Sequence, residues 1–118
     1  MWKSAVAPGV SVPRISNLGT QALLVQMAVA EVTGVALTEL CANRRGDPRT
    51  AFARQMAMYL CHLSFAMSLT QIGQSFGRDR TTVSHAIHRI EDLREDRELD
   101  RILYWLEARL RRSGGIHD

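Results

Sequence analysis

The run Asp79-Arg80-Thr81-Thr82-Val83-Ser84-His85-Ala86-Ile87-His88-Arg89 concentrates guanidinium, hydroxyl and imidazole groups in one short stretch. At about 100° of turn per residue, Thr81, Ser84, His85, His88 and Arg89 share one side of a helix, and Val83, Ala86, Ile87 and Ile90 share the other. A forked, always-charged donor such as Arg80 suits a bidentate contact to guanine O6 and N7. Thr81 and Thr82 can donate to phosphate or touch a thymine methyl, while His85 and Arg89 lie farther along for bases or backbone. No nucleophile–base pairing and no GxxxxGK[ST] loop occurs, so an enzyme is not expected, and no cofactor is implied. His62, His85, His88 and His117 lack a carboxylate or cysteine at ligand spacing, so no metal site is expected either.

These groups must be held by helices. Ser68 can cap a helix, and Gln71 three residues on can complete a capping box; Leu69, Ile72 and Phe76 give it an inner stripe, and Gly77 ends it. Gly77-Arg78-Asp79 then makes a tight turn, and Asp79 is placed to cap a helix over 80–93. Two short helices across a three-residue glycine turn are the signature of a helix-turn-helix, whose second helix can enter a major groove. Many helical hairpins show a polar outer face of this kind, so the pattern also admits an ordinary solvated surface.

The rest of the chain reads as helical, with no strand and no internal repeat. A first helix is expected to begin after Ser16 or Asn17 and run to Thr33, with Leu23, Leu24, Met27 and Val32 inward, followed by a short turn over 36–41. Residues 43–49 read as a basic loop, and a strong helix follows over 50–63 with Phe52, Met56, Tyr59, Leu60 and Leu63 on one side. A last helix over 97–111 buries Leu99, Ile102, Leu103, Leu106 and Leu110, and at least one of Tyr104 and Trp105 is expected to pack inward. Met27, Met56, Met58 and Met67 read as gap-filling core residues. Residues 1–16, with Trp2, Pro8 and Pro13, read as a flexible arm, 17–112 as one all-α domain, and 113–118 as a flexible tail.

At 118 residues and 46% hydrophobic composition, one modest core needs no staple, and Cys41 and Cys61 read as reduced thiols. With no signal-like or membrane-spanning stretch, the expected location is cytoplasmic, associated with the nucleoid. Net charge is +3, and residues 44–94 alone carry +4, every basic group there being arginine. That asymmetry points to a polyanionic partner.

Three segments carry a resemblance: Gln55-Met56-Ala57-Met58-Tyr59-Leu60, Ser68-Leu69-Thr70-Gln71-Ile72-Gly73, and Phe76-Gly77-Arg78-Asp79-Arg80-Thr81-Thr82-Val83-Ser84-His85-Ala86. Together they resemble the C-terminal DNA-binding domain of the bacterial replication initiator DnaA, over about residues 21–112. The resemblance implies a Trp-repressor-like helix-turn-helix bundle and double-stranded DNA as partner. It places Arg78, Asp79, Thr81, Thr82 and His85 at the major groove, with Arg44, Arg45 and Arg54 on phosphates beside it. Ser68 and Leu69, at a helix N-terminus, would offer backbone N–H groups to a phosphate.

Three positions depart from the family pattern. Arg80 stands where the family has a base-reading histidine. A second glycine before Arg78 is missing, which shortens the turn by one residue. Phe52 and Ala53 stand where the family has a minor-groove arginine and a proline. Phosphate affinity can therefore persist while sequence preference changes. The expectation is a reader domain standing alone, regulating replication initiation or transcription by occupying sites. The alternative is an adaptor that binds the initiator or its regulatory ATPase in place of DNA.

Overall fold

The computed structural model describes residues 15–42 and 46–112. Six helices follow in order: α1 (Ile15–Thr33), α2 (Leu37–Leu40), α3 (Pro48–Phe65), α4 (Leu69–Phe76), α5 (Arg80–Leu93) and α6 (Arg97–Arg112). The all-helical expectation holds, and no strand occurs among the described residues. Residues 15 and 16, read as the end of an arm, are already in α1; residues 1–14 and 113–118, which carry the rest of the arm and the tail, lie outside the described residues.

α3 is the central rod. It packs against α1, α5, α4, α2 and α6, and so is buried almost all round, from Ala53 to Cys61 with only Gln55 partly exposed. Its start lies earlier than the loop reading allowed, because Asp47 accepts from the Thr50 N–H at 2.8 Å and Pro48 occupies the first helical position. That aspartate cap followed by proline is a favourable helix entry, since Pro has no N–H to orphan there. The helix ends at Ala66, which adopts the left-handed conformation with φ 54°. A side chain in that region costs about 1–2 kcal/mol, whereas glycine does not pay it but loses more freedom on folding. Ala66→Gly should therefore raise stability by about 0.5–1 kcal/mol, measurable as a higher urea midpoint at unchanged slope.

α1 buries a different face from the one its large residues outline. Ala22, Val25, Gln26, Ala28 and Val29 are buried, while Leu23 is 44% and Met27 50% exposed. From Thr20 to Thr33 the helix carries a single charge, Glu31, so hydrophobicity hardly distinguishes one face from another. Alanines and valines dominate the inner face, which packs against α3. Gln26 is tolerated inside because its Oε1 accepts from Cys41 Sγ at 2.8 Å. Met56, Met58 and Met67 are core residues as expected; Met27 is not.

α6 is amphipathic and rests on Leu103, Leu106 and Leu110, with Leu99 and Ile102 half-buried against the core. Tyr104 and Trp105 both lie outside, 64% and 49% exposed, against the expectation that one would pack inward. Leu63 is exposed too. The tie from α5 to α6 is polar. Arg94 donates to Asp100 Oδ1 at 2.6 Å, to Glu107 Oε2 at 2.7 Å and to the Tyr59 hydroxyl at 3.1 Å. The Tyr59 hydroxyl in turn donates to Glu91 Oε1 at 2.6 Å, and its burial pushes the phenol above its ordinary range. Cys61 is sealed in α3, where burial pushes its thiol up to about 12, and Cys41 is a free surface thiol. No described helix is long and apolar enough to cross a membrane.

Candidate nucleic-acid interface

The α4–turn–α5 unit is built from local contacts. The Ser68 N–H donates to Gln71 Oε1 at 2.9 Å and the Gln71 N–H to Ser68 Oγ at 3.1 Å, a complete capping box. Gly77 takes the left-handed C-cap conformation with φ 65°. Asp79 accepts from the Thr82 N–H at 2.7 Å, and that bond holds its carboxyl below the ordinary carboxylate range. The turn is pulled tight on α4: the Arg78 N–H donates to the Gly73 carbonyl at 2.9 Å, and a Cβ on Gly73 would meet the Arg78 carbonyl oxygen at 2.5 Å. Glycine is required there by that approach of backbone on backbone.

α5 presents the two faces its sequence outlines. Val83, Ala86 and Ile90 are buried, and Arg80, Thr81, Thr82, His85, His88 and Arg89 are exposed. Arg80 has no hydrogen-bond or ion-pair partner among the described residues. Thr82, His85 and Arg89 join Gln55 and Arg78 along a shallow groove where α3, the turn and α5 meet. Arg78 is half-buried and donates from NH1 to the Phe76 carbonyl at 2.9 Å, which keeps its stem against the turn. Of the expected residues, Arg78, Thr82, His85 and Arg89 thus line this groove, while Arg80 lines a second hollow with Thr70, Gln74 and Arg78.

Arg54, expected on a phosphate, lines the same groove but is engaged in the protein itself. It is 4% exposed, and its guanidinium donates to the Leu40 carbonyl at 3.1 Å and the Glu39 carbonyl at 2.7 Å. Those carbonyls end the four-residue α2, where helix geometry leaves acceptors short of partners; the Glu39 carbonyl has the Ala42 N–H at 3.3 Å besides. Arg54 caps them. Burial, and then the neighbouring Arg78 charge, lower its proton affinity from the ordinary arginine range. Arg49 caps α1 in the same manner, donating from NH2 to the Thr33 carbonyl at 2.6 Å. Part of the positive surplus of the central segment is thus spent holding helix ends and α6. Ser68 and Leu69 do sit at the start of α4, but the Ser68 N–H is already satisfied by Gln71. Arg44 and Arg45 lie outside the described residues.

Two residues at the interface were not singled out for it. Gln55 accepts from Arg89 NH1 at 3.1 Å, and the Phe52 ring lies under the Arg89 guanidinium, 5.6 Å from its carbon to the ring centroid. Both partners are more than 30 residues from Arg89 in sequence, and nothing in the local pattern announces the pairing. Among the described residues, no group of three or more metal-ligating side chains occurs.

The family model described as bacterial DnaA protein helix-turn-helix matches residues 23–90. The chain belongs to this DnaA helix-turn-helix family. Among curated relatives, the chromosomal replication initiator protein DnaA of Mesorhizobium japonicum is 49% identical over 71 residues, and that of Bartonella quintana 48% over 71. Each match covers 58% of this chain and 14% of the relative, so the chain spans about a seventh of the initiators it resembles. A solved structure of a DNA replication initiation factor superposes with a TM-score of 0.71 at 29% identity, over 80% of this chain and 29% of that one. The DnaA family match begins within α1 and ends at Ile90 in α5, so it contains the whole of α3, α4 and the turn.

Proposed function

We propose that this chain binds double-stranded DNA with α5 in the major groove, and that it acts on replication initiation by occupying sites. One observation carries the reading: the first half of α5 turns Arg80, Thr81, Thr82 and His85 outward from a buried apolar seam, with Arg78, Thr82, His85 and Arg89 lining one groove and Arg78 and Arg80 an adjoining hollow. Long forked donors at a helix N-terminus, flanked by hydroxyls, fit base edges at the groove floor and phosphates at its walls. The relatives' names, which are those of replication initiators, support the process. Arg80, Thr81, Thr82 and His85 are assigned to bases, and Arg78 and Arg89 to the backbone. Arg44, Arg45 and the Leu69 N–H at the start of α4 are kept as further backbone contacts; the Ser68 N–H is held by Gln71. Arg54 supports that surface from beneath.

Fluorescence anisotropy on origin duplex and on scrambled duplex, each at two salt concentrations, tests the reading. Binding should weaken steeply as salt rises, because phosphate contacts release counterions. Arg80→Ala should cost about 1–3 kcal/mol of discrimination between the duplexes while leaving binding to the scrambled one much less changed. Equal losses on both duplexes would make Arg80 a phosphate contact.

A second reading is favoured by a separate surface. Leu24, Met27, Ala36 and Leu110 line an apolar depression edged by Glu31 and Arg109, which are paired, and Arg109 also stacks over exposed Trp105 at 5.5 Å. Apolar groups left outside in this number suit a protein partner, and the chain would then be an adaptor for the initiator or its regulatory ATPase. No binding to either duplex at low salt would select this reading over the first.

A further inference from the structure

We infer that Phe52 is a positioning residue which, with Gln55, holds the Arg89 guanidinium in place as a preorganised phosphate contact; the inference rests on the DNA-binding reading above. Arginine is a flexible side chain, and immobilising it on binding opposes affinity. Here two groups from α3 restrain it beforehand. The Phe52 ring lies under the guanidinium at 5.6 Å, and Gln55 Oε1 accepts from NH1 at 3.1 Å. The ring is itself anchored, half-buried against the core and sharing a surface hollow with Leu93, Leu99 and Ile102. The guanidinium carbon thus lies over a π-system, and one N–H donor is occupied. The remaining N–H donors stay in the plane, at the edge of the groove that Thr82 and His85 also line. That is the presentation a phosphate takes through a forked contact.

The arrangement also accounts for an aromatic residue at the rim of a basic surface. Cation–π stacking of an exposed arginine is weak but directional, so Phe52 acts on where the charge is held more than on how much charge there is. Its contribution should be felt on all duplexes alike, since phosphates carry no sequence.

A double-mutant cycle separates this from a packing role. Phe52→Ala and Phe52→Leu, the second keeping apolar bulk without a ring, should each weaken binding to origin and scrambled duplex about three- to tenfold. Arg89→Ala should weaken both more and reduce the salt slope by about one. In the Arg89→Ala background, the Phe52 substitutions should cost nothing further, and Phe52→Trp with Arg89 present should keep wild-type binding. In the DNA-free protein, the Arg89 Hδ protons should be shifted upfield by the ring in NMR spectra, and that shift should vanish in Phe52→Leu. Additive losses, or a wild-type spectrum without the shift, would overturn the positioning role while DNA binding stands. A wild-type protein that shows the shift yet binds neither duplex would sink the DNA reading, and the phosphate role with it.

Discussion

Arg54→Ala should lower unfolding free energy by about 2–4 kcal/mol, an effect on folding more than on DNA contact. Removing the guanidinium leaves the Glu39 and Leu40 carbonyls at the end of α2 without their charged donor, in a place where Arg54 is only 4% exposed. Water reaches such a site poorly, so the lost bonds are not simply exchanged for hydration. It also opens a cavity beside α3, the helix against which the others are assembled. Arg54→Lys should recover little of the loss, because a single ammonium cannot span two carbonyls as a fork does. Urea denaturation gives the measurement. If Arg54→Ala keeps the wild-type midpoint and loses affinity for both duplexes equally, Arg54 is a phosphate contact after all and its role as an α2 cap is minor.

Gly73→Ala should destabilise the protein by about 1–3 kcal/mol and disorganise the binding surface at the same time. A methyl group in mid-helix ordinarily helps, by up to about 1 kcal/mol relative to glycine. At Gly73 that gain is outweighed, because the new Cβ would stand 2.5 Å from the Arg78 carbonyl oxygen. The obstacle is backbone in a turn already bound at 2.9 Å between the Arg78 N–H and the Gly73 carbonyl, so it cannot step aside as a long side chain would. Relief requires moving Arg78 and Asp79, and with them the start of α5. Hydrogen exchange at the Thr82 amide, which Asp79 caps, should quicken in the variant. Unchanged protection there, together with a raised melting temperature, would show that the turn yields more easily than its geometry implies.

Much of the site can be read from the chain because its devices are local. Ser68 and Gln71 box the start of α4, Gly77 stops it, and Asp79 starts α5; each acts over four residues or fewer. The alternation along 80–90 then divides inner from outer side chains without reference to the rest of the molecule. Where pattern fails, it fails for identifiable reasons. α1 is apolar on nearly every side, so its largest residues mislead and the small ones are buried. The Asp47-Pro48 entry to α3 was a readable signal, hidden by the loop character of its glycine and arginine neighbours. Tyr104 and Trp105 have the composition of core residues, and only the neighbours available to α6 leave them outside.

The arginines draw the sharpest line. Their number and crowding into the central segment are visible in the amino-acid order, as is the helix-turn-helix, because caps and turns are settled by residues next to one another. Their division of labour is not. Arg54 reaches carbonyls 14 and 15 residues away, Arg49 one 16 away, and Arg89 leans on Gln55 34 away. Those pairings exist only once α3 has been packed among its neighbours; for Arg54, burial strips water from the carbonyls and makes a guanidinium their best remaining partner, while Arg49 and Arg89 make theirs at the surface.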